Sequence, residues 1–176
     1  MITRRNFLKA GAAVAALSVV PNGFASILAK KEKAIGVQLY SVRDDLKTDF
    51  DGTMKALVDI GYKRMEAAGY RDGKFYGKSP AEMKKYLADL GARMVGSHTG
   101  SGLLAEGDTK GWDFWKKNAA DTAEVGCKWI VQAGYPSKDI KSLSDVKRLA
   151  DQFNKCGEIA KANGLRFAFH NHVEEF

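Results

Sequence analysis

"GYKRM" at Gly61–Met65 decides the fold, because the same phrase returns three times: "GARMV" at Gly91–Val95, "GCKWI" at Gly126–Ile130 and "GLRFA" at Gly164–Ala168. Each copy is a glycine, a variable residue, a Lys or Arg, and then mostly apolar residues. Glycine reaches the left-handed conformation that ends a helix at little steric cost. Each copy therefore reads as a helix stop followed by a short buried strand.

The segments before the glycines agree. Phe50, Met54, Leu57 and Ile60 recur at helical spacing, as do Met83, Tyr86, Leu87 and Leu90, and later Val146, Leu149, Ala150, Phe153 and Ala160. Ser79-Pro80-Ala81-Glu82 is a capping box with proline at the first helical position. A third helix, around Trp112 to Val125, opens with Trp112, Phe114 and Trp115, which read as core and helix–sheet contacts rather than a ligand platform.

Strands are expected at Ile35–Tyr40, Arg64–Ala67, Arg93–Ser97, Trp129–Gln132 and Arg166–His172, with helices between them. Their starts recur at roughly 28 to 38 residues, the period of a parallel βα unit. The first strand leads into "SVRDDLKTDF", not into a Gly-rich dinucleotide turn, which favours a (β/α)8 TIM barrel over a doubly wound sheet. Such a barrel takes about 250 residues. The 176 here are expected to be the first part of one, stopping after about the fifth strand. Alone, such a piece would leave two strand edges unpaired and is expected to self-associate.

Hydrophobic residues make up 45% of the chain, enough for a core. The net charge of +7 comes from Lys and Arg spread among acids, with no basic stripe, so no nucleic-acid partner is expected. Part of that charge sits in the leader. Thr3-Arg4-Arg5-Asn6-Phe7-Leu8-Lys9, then an Ala-rich apolar stretch to Val20, is the pattern of a twin-arginine export signal. Residues 1–29 are assigned to this signal and a short linker, and 30–176 to the barrel domain. Gly23 and Ala25 suit a signal peptidase, and cleavage after Ala25 takes the charge from +7 to +4 by removing Arg4, Arg5 and Lys9. A periplasmic protein with no stable membrane association is expected. Cys127 and Cys156 would meet an oxidising compartment, but without CxxC spacing they read as buried free thiols.

In a parallel barrel the chemistry gathers at the C-terminal ends of the strands. Those ends carry Gln38 and Tyr40, Glu66, His98, then His170, His172 and Glu175, so all three histidines fall there. His170 and His172, two apart on a strand, share a face, towards the interior if Phe167 and Phe169 face the helices. Glu66 ends an otherwise buried strand and needs a partner, either a ligand or an internal Lys or Arg.

"IGVQLYSVRDDL", "MEAAGY", "GSHTG" and above all "FAFHNHVEEF" resemble the sugar phosphate isomerase/epimerase family of xylose isomerase-like barrels, from about Ala34 to Phe176. A common fifth-strand pattern there is His-Asn-His-Asp-Phe-Glu-Phe; this chain has Val173 and Glu174 in the two middle places. The resemblance implies a divalent metal (Mn, Mg, Co or Zn) and a carboxylate that moves a proton next to a carbonyl. It places His170 as metal ligand, Glu66, His98 and Glu175 as catalytic, and Gln38, Tyr40 and His172 as substrate-binding. The further ligands and acid/base residue would come from later strands, so the piece alone is expected to be inactive. The substrate is expected to be a small sugar or keto-glycoside. A 3-keto-glycoside lyase or hydratase on the same barrel, and a non-catalytic carbohydrate-binding protein, are the alternatives; a DNA-repair endonuclease is disfavoured by the leader.

Overall fold

Helix α1 (Arg43–Thr48) and helix α2 (Phe50–Ile60) follow strand β1 (Gly36–Gln38) and a short 3-10 turn (Leu39–Val42). Strand β2 (Arg64–Ala67) then leads into a two-stranded hairpin, β3 (Tyr70–Arg71) and β4 (Lys74–Phe75), and helix α3 (Pro80–Asp89). The rest alternates as β5 (Arg93–Thr99), α4 (Thr109–Glu124), β6 (Trp129–Ala133), α5 (Leu143–Ala162) and β7 (Arg166–His170). This computed structural model describes residues 35–173; the leader, its cleavage site and Glu175 lie outside them.

Five strands form one parallel sheet in the order β1-β2-β5-β6-β7, so successive βα units lie side by side. That order, with every long connection a helix, is an arc of a βα barrel. The repeat glycines do what their pattern requires: Gly61, Gly91, Gly126 and Gly164 have φ of +114°, +69°, +100° and +71°. Asp49, Ser79, Asp108 and Ser142 cap the helix starts through their side chains, and the Ser79–Glu82 box is closed in both directions.

The core lies between the sheet and the helices. Met65 and Met94 are paired on β2 and β5, and Met54, Met83, Leu87 and Trp115 cover them from the helices, all at 1% exposure or less. Burying each such side chain contributes about 1.5–3 kcal/mol. Trp115 is therefore core, as its spacing implied. Cys127 and Cys156 are buried free thiols.

Four strand ends differ from expectation: β5 runs two residues further, to Thr99, and β6 one, to Ala133, while β1 and β7 stop short. β1 stops at Gln38, because Leu39 turns into the core and the chain enters the 3-10 turn, which takes Tyr40 off the strand. β7 stops at His170 rather than His172: its partner β6 ends opposite it at Ala133 and turns away through Gly134, φ +69°. Beyond that point β6 offers no ladder. Phe167 and Phe169 do face helix α5, with ring centroids 5.6 and 5.4 Å from Phe153. The hairpin is an element the helical reading missed. Asp72-Gly73 is a two-residue hairpin signal, and both residues have positive φ.

Candidate functional site

Glu66 projects from β2 where the β2–β5 register slips: Met65 pairs with Met94, but Glu66 pairs with Gly96. The irregularity and the glycine act together. A Cβ on Gly96 would stand 3.3 Å from Glu66 Oε2, so the missing side chain leaves space for the carboxylate. Bulges recur beside active sites because they re-aim a side chain. Gly96 is a site residue the motif reading passed over, although a lone glycine inside a strand signals close approach.

Two residues further along β5, His98 points away from α4. Its neighbour Thr99 faces that helix and accepts a hydrogen bond from Asn118 Nδ2 at 2.9 Å, while Asn118 Oδ1 accepts one from Thr122 at 3.0 Å. Both helix residues are fully buried. This satisfied pair fixes the strand end and so the direction of His98. The loop beyond it is held by two further buried amides. Gln132 donates to the carbonyls of Ser101 and Gly134, and Gln152 accepts from Leu104 N–H and donates to Gly102 O.

Gln38 closes the arrangement. Its Nε2 donates to Glu66 Oε1 at 2.6 Å and lies 2.6 Å from His98 Nδ1. The carboxylate settles which way the amide faces, since only the nitrogen end can donate to it. The second amide hydrogen then goes to His98 Nδ1, which must accept. Nδ1 carries no proton, and the neutral ring holds its proton on Nε2.

Burial lowers the His98 pKa below the ordinary imidazole value; Glu66 acts in the opposite sense, and His170 and His172 add to the lowering. His98 is therefore neutral at pH 7, and its 3.5 Å approach to Glu66 is not an ion pair. Among the described residues no internal Lys or Arg pairs with Glu66; its partner is an amide. His98 Nε2 is buried with no hydrogen-bond partner among the described residues. A buried donor left unmatched is costly and marks a place for a ligand or water.

The other two histidines join this group. The His170 ring stacks on His98 at 4.7 Å and 21°, and His172 meets His170 edge-on at 4.8 Å. His172 is off the strand, yet it lies against the turn after β6, where a Cβ on Gly134 would sit 3.6 Å from its ring. Gln38, Glu66, His98, His170 and His172 are thus brought together. Tyr40 is 56% exposed, and its ring contact is with Arg43, 4.5 Å away, not with the histidines. No three His, Cys, Asp or Glu among the described residues form a metal-binding group. The described residues alone do not complete a metal centre.

Residues 54–176 match the xylose isomerase-like TIM barrel family, and residues 1–21 match the signal sequence of the twin-arginine translocation pathway. No curated protein matches the chain. Two solved structures of sugar phosphate isomerase/epimerases from Parabacteroides distasonis are similar to it. One is 34% identical over 85% of this chain and 55% of its own, with a TM-score of 0.74. The other is 30% identical over 81% of this chain and 56% of its own, with a TM-score of 0.69. The chain thus spans little more than half their length. The IolI protein, solved with a bound zinc atom, shares the fold at 18% identity and TM-score 0.53, over 72% of this chain and 46% of its own.

Proposed function

We propose, from the premise that the chain belongs to the xylose isomerase-like TIM barrel family, that the whole protein is an exported sugar isomerase or epimerase working by proton abstraction next to a carbonyl. The observation that carries this is the Gln38–Glu66–His98 set, with a neutral imidazole whose Nε2–H is buried and unmatched at the strand ends. That N–H is suited to donate to a carbonyl oxygen as it gains negative charge, and a donor already in place costs no reorganisation. Glu66, with Oε1 held by Gln38, keeps Oε2 to accept a substrate hydroxyl. A carboxylate from a later strand of the whole protein is proposed to take the proton and return it, to the same carbon for epimerisation or the next for isomerisation, with Glu175 assisting as a second catalytic carboxylate.

A divalent ion, when bound, would polarise the carbonyl and its neighbouring hydroxyl. His170 is the described residue proposed to ligate it. The twin-arginine leader favours a free sugar or keto-glycoside in the periplasm over a sugar phosphate, phosphorylated sugars being chiefly cytoplasmic.

The test incubates the mature whole protein in D2O with free aldoses, ketoses and keto-glycosides, and follows deuterium at the carbon next to the carbonyl. Wash-in that falls at least about a hundredfold in Glu175→Gln and His98→Ala is expected. Elemental analysis of the same protein beside His170→Ala should show a divalent metal lost in the variant. Absence of wash-in from every substrate, together with retained sugar binding, would replace the enzyme with a carbohydrate-binding protein.

A further inference from the structure

A cleft of about 770 Å3 opens beside His98 and runs outwards between the β3–β4 hairpin and helix α4. Sites for small molecules span about 300–1,000 Å3. The hairpin wall is anchored at two points. Tyr70 donates its hydroxyl to Asp121 Oδ2 at 2.7 Å, and Lys117 Nζ donates to both oxygens of that carboxylate at 2.6 Å. Asp121 is 5% exposed, so its carboxylate is largely removed from water, while the Lys117 side chain reaches it from the surface.

The second anchor is Tyr76, whose hydroxyl accepts the Ala68 N–H at 2.9 Å, two residues beyond Glu66. Its ring covers Gly69, where any Cβ would overlap it, and its own φ is +51°. A bulky residue in that region is strained, and such strain is kept where the surroundings dictate the position. Joining a strand to a helix does not need this; connections of about two to six residues are usual.

The lining combines one apolar face with charged groups of both signs at its edge, the carboxylates of Asp72 and Asp113 as well as the N–H donors. Phe114 supplies an aromatic wall beside Tyr70, their centroids 6.2 Å apart. Lys117 is engaged by Asp121, but Arg71 and Lys110 line the cleft without an acidic partner among the described residues. An aromatic face with N–H donors around it suits a sugar ring, which has an apolar C–H face and a hydroxylated edge; a lipid would need a broader apolar lining.

We infer that this cleft is a second subsite, taking the ring attached to the sugar that reacts at His98, so that the substrate is a glycoside of at least two rings. The inference rests on the reading of the His98 cluster as a sugar site. The second ring lies on Phe114, and its hydroxyls accept from Arg71 and Lys110.

Calorimetric titration of the mature whole protein with matched methyl monosaccharides and methyl disaccharides of gluco, galacto and xylo configuration tests this. The disaccharide of at least one pair should bind about tenfold tighter, a difference of about 1.4 kcal/mol. Phe114→Ala should collapse that difference. So should Arg71→Ala combined with Lys110→Ala, two exposed side chains whose loss leaves the core intact. His98→Ala should weaken both members of the pair. Equal affinity within every pair, or a difference that survives both cleft variants, overturns the subsite while leaving the His98 site standing. Binding by no pair, or binding unaffected by His98→Ala, removes the sugar-site reading and the subsite with it.

Discussion

Gln38 reads from its strand-end position as a substrate contact, but the folded chain spends its amide nitrogen on Glu66 and His98. These two contacts hold the carboxylate and determine which imidazole nitrogen carries the proton. Long-range 1H–15N spectra of the mature whole protein should show His98 as the Nε2–H tautomer. Gln38→Ala should convert this to a mixture, without the loss of secondary structure that a folding defect would bring. An Nδ1–H signal in the parent would mean the amide faces the other way. The cysteines allow a second check at this scale. Burial pushes both thiols up to about 12, with Glu66 adding to the rise at Cys127 and Lys155 opposing it at Cys156. The thiolate is the reactive form. Both should therefore resist alkylation at pH 8 in the native protein and react only once denaturant unfolds it; rapid native labelling of either would contradict their burial.

Among elements, the turn glycines are the most legible feature because their demand is local: a helix must end, and a left-handed residue ends it. A Cβ added at Gly126 would meet nothing within 4 Å, so the cost of a side chain there is conformational alone. Gly126→Ala should lose about 1–2 kcal/mol in chemical denaturation, and Gly126→Asn less, since asparagine tolerates this region. The hairpin is equally present in the sequence as Asp72-Gly73, but its anchors are not, because Tyr70 and Asp121 are far apart along the chain. Tyr70→Phe leaves Asp121 with Lys117 and should cost about 1–3 kcal/mol. Hydrogen exchange should then quicken at residues 70–75 and stay slow in β5. Uniform acceleration would show that the hairpin is not an independent unit.

For the whole molecule, the leader makes export a question about two residues. Replacing Arg4 and Arg5 together by lysine should leave an uncut precursor in the cytoplasm, whereas the parent should appear in the periplasm with Ser26 as its first residue. Cell fractionation with N-terminal sequencing reads both; normal processing of the double variant would remove the twin-arginine assignment. Among the described residues no helix is long and apolar enough to cross a membrane.

The sequence alone determined the alternation of strand and helix, the parallel class of the sheet, the Ser79 cap and the gathering of histidines at strand ends. Each follows from interactions between residues close in the chain, or from a period that repeats along it. Only the tertiary structure decided where β1 and β7 stop, because a strand lasts no longer than the neighbour it pairs with. It alone set Glu66 opposite Gly96, joined Gln38 to Glu66 and His98, and closed the hairpin onto α4. Those outcomes depend on side chains tens of residues apart, whose distances and hydrogen bonds exist only once the sheet has brought them together.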